Sequence, residues 1–231
     1  MSEIETSPEG VEEDVDVLAP GTLIAIVDPL CGWCWGAAPA FERLAASGRA
    51  RLEIVASGLF IGDRPMTAEF ADYAWTNDQR IRDLTGQTFS QTYRDEVLGD
   101  HGSKFDSGPA TLALTAVQVM EPEKALPCLH ALQAARWVAG RDITSEAVCA
   151  EVLGEIGIGA DTVAAFLAED EALIATLNER ATLARELLSR LGARGVPTLA
   201  RVTDTGVERI DSRVLFENVA GIVEGVFGAA N

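Results

Sequence analysis

A strand, a CxxC turn and a helix follow one another near the start of the sequence. The run GTLIAIVDP, residues 21–29, is almost continuously apolar and β-branched, which predicts a strand buried on both faces. CGWC follows at once, and WGAAPAFERLAASG then has a helical pattern that ends at Gly48. Because RLEIVASGLF predicts a second strand, the unit is β-α-β and its sheet is parallel at this point. This order predicts an α/β fold.

Helical patterns fill the middle of the chain. From about Thr67 to Gly192 we find six apolar-periodic segments and no further strand pattern. The last of these segments runs from Asp161 to Gly192 as one long helix. The pattern predicts a large all-helical insertion.

The end of the sequence predicts a hairpin and a helix. Two short strands, Thr198–Val202 and Val207–Ile210, flank a turn that contains Gly206. A helix follows, with its apolar face turned to the sheet: Leu215, Val219, Ile222 and Val226. The predicted order is therefore β-α-β, insertion, β-β-α.

Four segments follow from these patterns. Residues 1–20 are predicted to be a disordered acidic tail, since they contain seven acidic residues and no basic one. Residues 21–66 form the first part of the sheet domain, 67–192 the helical insertion, and 193–231 the second part of the sheet domain. The tail lacks the basic start and apolar centre of a secretory signal, which predicts a cytoplasmic protein.

Charge and hydropathy exclude two classes of function. The net charge is −18, whereas contact with phosphates needs a basic surface, so we expect no nucleic-acid partner. No apolar run approaches the ~20 residues that cross a bilayer, so we expect no membrane span.

Cys31 and Cys34 have a spacing that suits a metal site, a small disulfide ring or a reactive pair. Zinc needs four ligands, commonly from two such pairs. The other candidate ligands are scattered along the chain: His101, Cys128, His130 and Cys149. A reducing cytosol disfavours a permanent bridge. These arguments leave the reactive pair as the favoured interpretation, and we expect no metal site.

The reactive interpretation has a mechanism. A strand-to-helix turn places Cys31 at the start of a helix, where free backbone N–H groups and the helix dipole stabilise a thiolate. Cys34 lies one turn deeper and is placed to attack a mixed disulfide formed by Cys31. We therefore predict Cys31 as the nucleophile and Cys34 as the resolving cysteine.

Two motifs carry a family resemblance: DPLCGWCWG near the start and GVPTL near the end, on either side of the insertion. They resemble the DsbA-type thioredoxin-fold oxidoreductases, and in particular a leaderless bacterial group of predicted protein-disulfide isomerases. The resemblance implies a thioredoxin-like fold in which Pro197 is a cis-proline beside the cysteines. It also implies that the Val196 backbone binds a substrate peptide, and we assign Gly32 and Trp33 to the same groove.

The remaining candidate residues have plainer interpretations. We expect Trp35 to pack under the first helix, and Cys128 and Cys149 to be small buried hydrophobic residues, although a second redox pair stays open. Asp28 either influences protonation of the sulfurs or simply ends the strand before Pro29. We assign no catalytic role to the two histidines.

The predicted function is thiol-disulfide exchange through Cys31 and Cys34, as in a protein-disulfide isomerase. It requires no cofactor, and glutathione is an optional co-substrate. The expected substrates are proteins or small thiols and disulfides, and the chain is a monomer or a homodimer. One alternative is a glutathione-dependent isomerase or transferase, whose relatives usually carry serine in place of Cys31. Another is a carrier that holds an iron-sulfur cluster through Cys31 of two chains.

The residues between the cysteines predict a moderate reduction potential. Strongly oxidising relatives carry histidine where this chain has Trp33, so no cation stabilises the Cys31 thiolate there. We expect a potential between about −270 and −180 mV, the range from thioredoxin to protein disulfide isomerase. Equilibration with glutathione measures it, and a value near about −120 mV, typical of a strong oxidant, would contradict the prediction.

Overall fold

The computed structural model describes residues 18–228, which form a mixed sheet, a small second sheet and a set of helices. The strands are β1 Leu23–Val27, β2 Leu52–Ala56, β3 Arg64–Pro65, β4 Lys104–Phe105, β5 Thr198–Thr203 and β6 Gly206–Ile210. The α-helices are α1 Gly32–Gly36, α2 Ala38–Ala46, α3 Ala68–Thr85, α4 Gly108–Met120, α5 Ala125–Trp137, α6 Glu146–Glu155, α7 Ala160–Leu167, α8 Glu171–Arg190, α9 Val214–Glu217 and α10 Ile222–Phe227. A π-helix spans Tyr93–Leu98, and two 3-10 turns span Pro122–Lys124 and Val219–Gly221.

Strand β1 lies inside a four-stranded sheet of order β2-β1-β5-β6. It pairs in parallel with β2, with Leu23 opposite Leu52, and antiparallel with β5, with Leu23 opposite Arg201. All five residues of β1 are buried, because both faces of the sheet are covered. Leu23 belongs to a core with Phe41 of α2, whereas Ile24 on the other face packs with α8.

The α/β thioredoxin-like fold with a helical insertion is confirmed, and one detail of it was wrong. The insertion is not entirely helical, since the two residues of β4 pair with β3. The pairing joins Arg64 to Phe105 and Pro65 to Lys104 across the start of the insertion. A two-residue ladder has no periodicity of its own, so the pattern of apolar residues could not reveal it.

Three helices predicted as continuous are divided. The helix after CGWC breaks at Ala37, because Pro39 has no N–H to donate to the Trp35 carbonyl. That carbonyl accepts from Gln87 Nε2 instead, at 2.9 Å. The long segment from Asp161 breaks before Asp170, whose side chain caps α8 by accepting from two backbone N–H groups. The C-terminal helix breaks at Asn218, whose side chain accepts from Gly221 N.

The predicted acidic tail falls mostly on residues 1–17, which lie outside the described residues. Leu18, inside the predicted tail, packs partly buried against the apolar cluster between α8 and the sheet. Among the described residues, no helix is both long and apolar enough to cross a membrane.

Helix α1 approaches α3 closely through two glycines, Gly32 and Gly36. A Cβ atom at Gly36 would lie 2.7 Å from Ile81 Cγ2 and 3.3 Å from Thr85 Cγ2. The absence of a side chain therefore lets the short helix that carries the cysteines lie directly against the insertion.

This contact predicts the effect of Gly36→Ala. The added methyl group overpacks the contact with Ile81, so we expect the unfolding free energy to fall by about 1–3 kcal/mol, although alanine is the better helix former. Gly154→Ala is the matched control, because Gly154 lies inside α6 with open space around its Cβ position. Urea unfolding of both variants measures the difference, and equal stabilisation by the two alanines would contradict the close approach.

Candidate active site

Three chain segments meet at one edge of the sheet. The CGWC turn follows β1, the segment 57–63, here called the rim loop, follows β2, and the Val196–Pro197 peptide precedes β5. Because β1 and β2 are parallel and β5 is antiparallel to them, these three segments lie at the same end. The order of the strands thus brings residues 31 and 196 together.

Cys31 lies at the N-cap position of α1, with extended backbone angles. Its carbonyl accepts from Cys34 N at 2.9 Å and from Trp35 N at 3.1 Å, which starts the helix. Its thiol is 6 % exposed and donates to the Val196 carbonyl, with Sγ and O 3.5 Å apart. The Val196–Pro197 peptide bond is cis.

Cys34 lies deeper than Cys31 and is 1 % exposed. Its burial raises the pKa of its thiol well above the usual range, and its hydrogen bond with Cys31 and the Cys31 charge act in the same direction. The charge of Asp28 also raises this pKa. The two cysteines are therefore unequal: Cys31 keeps slight exposure beside a cis peptide, whereas Cys34 is enclosed and its raised pKa keeps it a thiol.

Asp28 is fully buried and links the CGWC turn, the rim loop and the start of α4. Its Oδ1 accepts from Leu30 N at 2.9 Å, just before Cys31. Its Oδ2 accepts from Phe60 N of the rim loop at 3.2 Å and from Ser107 Oγ, at the start of α4, at 3.1 Å. Ser107 N in turn donates to the Phe60 carbonyl at 3.0 Å. Asp28 is thus more than the end of a strand.

The backbone of Val196 is open to a partner. Val196 is partly exposed, and among the described residues no hydrogen bond uses its N–H. Pro197 is buried, and Thr198 Oγ1 donates to the Gly195 carbonyl at 2.7 Å, which holds the turn from the other side. An extended peptide beside Cys31 would find a donor at Val196 N.

The two tryptophans next to Cys34 point in different directions. Trp33 is 37 % exposed and its ring meets the Phe216 ring edge-on at 5.4 Å. Trp35 is buried, stacks on Trp137 at 6.1 Å, and donates from Nε1 to the Thr88 carbonyl at 3.0 Å. Trp35 therefore packs against the insertion, whereas Trp33 remains available at the surface near the site.

The other cysteines and the histidines lie elsewhere. Cys128 and Cys149 are fully buried in the main core, and burial raises the pKa of both thiols. Cys149 Sγ donates to the Ile143 carbonyl at 3.2 Å. His130, which is largely buried, pairs with the exposed Glu42, with Nδ1 and Oε1 3.0 Å apart. Within residues 18–228 no group of three or more His, Cys, Asp or Glu is placed to hold a metal ion.

Four residues near the site were missed by the sequence analysis: Phe60, Asp78, Ser107 and Phe216. Only Ser107 had a local signal, since a serine before Gly-Pro is typical of a helix start. The others reach the site through contacts between segments distant in the chain. Asp78 lies directly against the CGWC turn, because its Oδ1 lies 2.6 Å from the position that a Cβ at Gly32 would take.

Comparison with known proteins gives a consistent result. A family model described as DSBA-like thioredoxin domain matches residues 22–211. Comparison with curated proteins found no match. Among solved structures, the chain is similar to the cytosolic disulfide reductase DsbM from Pseudomonas aeruginosa, at 30 % identity and a TM-score of 0.79. That alignment covers 87 % of this chain and 94 % of that one.

Two further structures extend the comparison. The structure of the same reductase with GSH aligns at 31 % identity and a TM-score of 0.76, over 87 % of this chain and 95 % of that one. A protein from Nitrosomonas europaea aligns at 23 % identity and a TM-score of 0.72, over 90 % of this chain and 97 % of that one. The similarity to the Nitrosomonas europaea protein concerns the fold alone.

Burial raises the pKa of Asp28 to about 6, although its hydrogen bonds from Leu30, Phe60 and Ser107 oppose this. The folded protein then holds the proton of the Asp28 carboxyl group more tightly than the unfolded chain does. The contribution of Asp28 to stability is therefore greatest below about pH 4 and is lost as the pH rises through about 6. The measured quantity is the unfolding free energy of the unsubstituted protein minus that of Asp28→Asn. This difference should fall by on the order of 3 kcal/mol between pH 4 and pH 8.

Chemical unfolding at several pH values measures this difference. Asp204→Asn, in the exposed turn of the hairpin, is the control for exchanging one carboxyl for an amide. A difference between the Asp28→Asn variant and the unsubstituted protein that does not change with pH would contradict the assignment.

Proposed function

We propose that this chain, which belongs to the DSBA-like thioredoxin domain family and is a thiol-disulfide oxidoreductase, works through Cys31 as nucleophile and Cys34 as resolving cysteine. The observation that carries the proposal is the inequality of the two sulfurs. Cys31 Sγ lies beside the cis peptide and Cys31 keeps 6 % exposure, whereas Cys34 is 1 % exposed and burial holds its pKa high. A substrate disulfide can therefore reach Cys31 first.

The reaction begins when the Cys31 thiolate attacks one sulfur of the substrate disulfide. A mixed disulfide forms, and the other substrate sulfur leaves as a thiolate that takes up a proton. Cys34 then loses its proton, and its thiolate attacks Cys31 Sγ and releases the second substrate thiol. The substrate has gained two electrons and two protons, and the protein carries a Cys31–Cys34 disulfide.

The surface around Cys31 suits an extended peptide. The free N–H of Val196 is a backbone donor next to the sulfur, and Trp33 with Phe216 offers an apolar face nearby. The rim loop adds two exposed apolar side chains, Leu59 and Ile61. We propose that a substrate protein binds across Val196 and rests apolar side chains on these groups.

We propose that the chain acts in the reductive direction in the cytoplasm, with glutathione as the reductant. Two glutathione thiols would restore the Cys31–Cys34 dithiol and leave as glutathione disulfide. Support comes from the similarity to the reductase from Pseudomonas aeruginosa, which is named as cytosolic and has a structure with GSH. No metal or organic cofactor takes part in these steps.

Serine substitutions test the roles of the two cysteines. Cys31→Ser removes the nucleophile, so reduction of insulin by glutathione should slow by about three orders of magnitude or more. Cys34→Ser leaves the first step intact, and the protein should accumulate as a mixed disulfide with one substrate or glutathione molecule, visible by mass spectrometry. Cys149→Ala is the control, because this buried thiol lies in the core and should leave turnover unchanged.

Two results would contradict the proposal. Turnover that survives Cys31→Ser would place the chemistry elsewhere in the chain. Full turnover by Cys34→Ser would indicate a single-thiol mechanism, as in a glutathione-dependent isomerase or transferase.

A further inference from the structure

A buried carboxyl group of the insertion lies against the redox turn and takes no part in the mechanism above. Asp78, on α3, is 6 % exposed, and its Oδ2 accepts from the Tyr93 hydroxyl at 2.9 Å. Among the described residues no donor is bound to its Oδ1, which is not fully enclosed and keeps some contact with solvent. A charged side chain rarely lies in such a place unless it is paired.

The Oδ1 atom is directed at the residue that follows Cys31. A Cβ atom at Gly32 would lie 2.6 Å from Asp78 Oδ1 and 3.2 Å from Ile81 Cδ1. The carboxyl group therefore occupies the space that a side chain at position 32 would need. Gly32 opens the first turn of α1, so a charge on Asp78 lies beside the helix end that supports the Cys31 thiolate.

The other charged and titratable groups around Asp78 come from the elements packed against α3. Arg136 of α5 is 1 % exposed, lies over the Tyr93 ring at 5.4 Å, and its nitrogens have no hydrogen-bond partner among the described residues. The carboxylate paired with Arg136 is that of Asp142, at 3.6 Å. The π-helix contributes Tyr93, α1 contributes Cys34 and its N-cap residue Cys31, and α9 contributes the exposed Glu217.

We propose that Asp78 is a positioning residue for the Cys31–Cys34 couple: its carboxyl group sets the place of Gly32 and, when ionised, opposes the Cys31 thiolate. The proposal rests on the proposed function, since it needs these cysteines to be the redox couple. Ionised Asp78 disfavours the thiolate but leaves the uncharged disulfide unaffected. It therefore makes the couple less oxidising.

The effect depends on pH in a defined direction. Burial raises the pKa of Asp78 to about 7, against the opposing influence of the Tyr93 hydrogen bond and the Arg136 charge. Asp78 is then neutral in mildly acidic solution and ionised in mildly alkaline solution. Its influence on the thiolate should be weak near pH 6 and strong near pH 8.5.

Asp78→Asn tests the proposal, because asparagine keeps the size of the side chain and removes the charge. We expect the equilibrium constant for reduction of the protein by glutathione to rise by about threefold or more at pH 8.5, which is about 14 mV at 29.6 mV per tenfold change. At pH 6 the variant and the unsubstituted protein should agree. Asp72→Asn, exposed on the same helix, is the matched control and should agree with the unsubstituted protein at both pH values.

A second variant keeps the test decisive if Asp78→Asn does not fold. Tyr93→Phe keeps the carboxyl group and removes its donor, so the pKa of Asp78 should rise. Ionised Asp78 lowers the equilibrium constant for reduction of the protein by glutathione, and in this variant that lowering should begin at a higher pH. Equal constants for Asp78→Asn and the unsubstituted protein at pH 8.5, or an unshifted profile for Tyr93→Phe, would overturn the proposal. An equal rise in the equilibrium constant of the Asp72→Asn control at pH 8.5 would also overturn it.

The two proposals fail in different ways. If Cys31→Ser retains turnover, the couple itself is misassigned. If the Cys31–Cys34 couple equilibrates with glutathione as one two-electron couple but does not respond to Asp78→Asn, only the role of Asp78 is wrong.

Discussion

The buried carboxyl group of Asp28 is the interaction on which the arrangement of the site depends. Its oxygens accept from the residue before Cys31, from the rim loop, and from the start of α4, so three segments distant in sequence have one common partner. Few other groups can accept from several donors inside a protein, where an unpaired donor is costly. Burial in turn makes the ionised form of Asp28 costly, as its raised pKa shows.

A second constraint joins the redox turn to the insertion. Helix α1 has five residues, too few to be stable by itself, and two of them are glycines that lie against α3. Trp35 stacks on Trp137 of α5, and its backbone carbonyl accepts from Gln87, so the insertion provides most of the partners of α1. Cys31 is therefore positioned by the end of strand β1, whereas α1, which follows it, packs mainly against the insertion.

The sequence predicted those parts of the fold and site that have a local pattern. The apolar run of β1, the CxxC spacing and the GVPTL motif were sufficient to place Cys31 and Cys34 at a strand-to-helix turn and to single out Pro197. Interruptions of the helices at Ala37, Asp170 and Asn218 were missed, although a proline and two capping side chains mark them. Asp28 was singled out beside the cysteines, but its contact with Ser107 could not be predicted, because it joins residues 79 positions apart.

The contact between Gly32 and Asp78 also has an evolutionary meaning. One position lies between the two cysteines and the other lies in the insertion, yet the carboxyl group of residue 78 fills the space beside residue 32. A relative that acquires a side chain at position 32 must accept a smaller or displaced residue at position 78. We therefore expect these two positions to vary together among homologues, as residues in direct contact do.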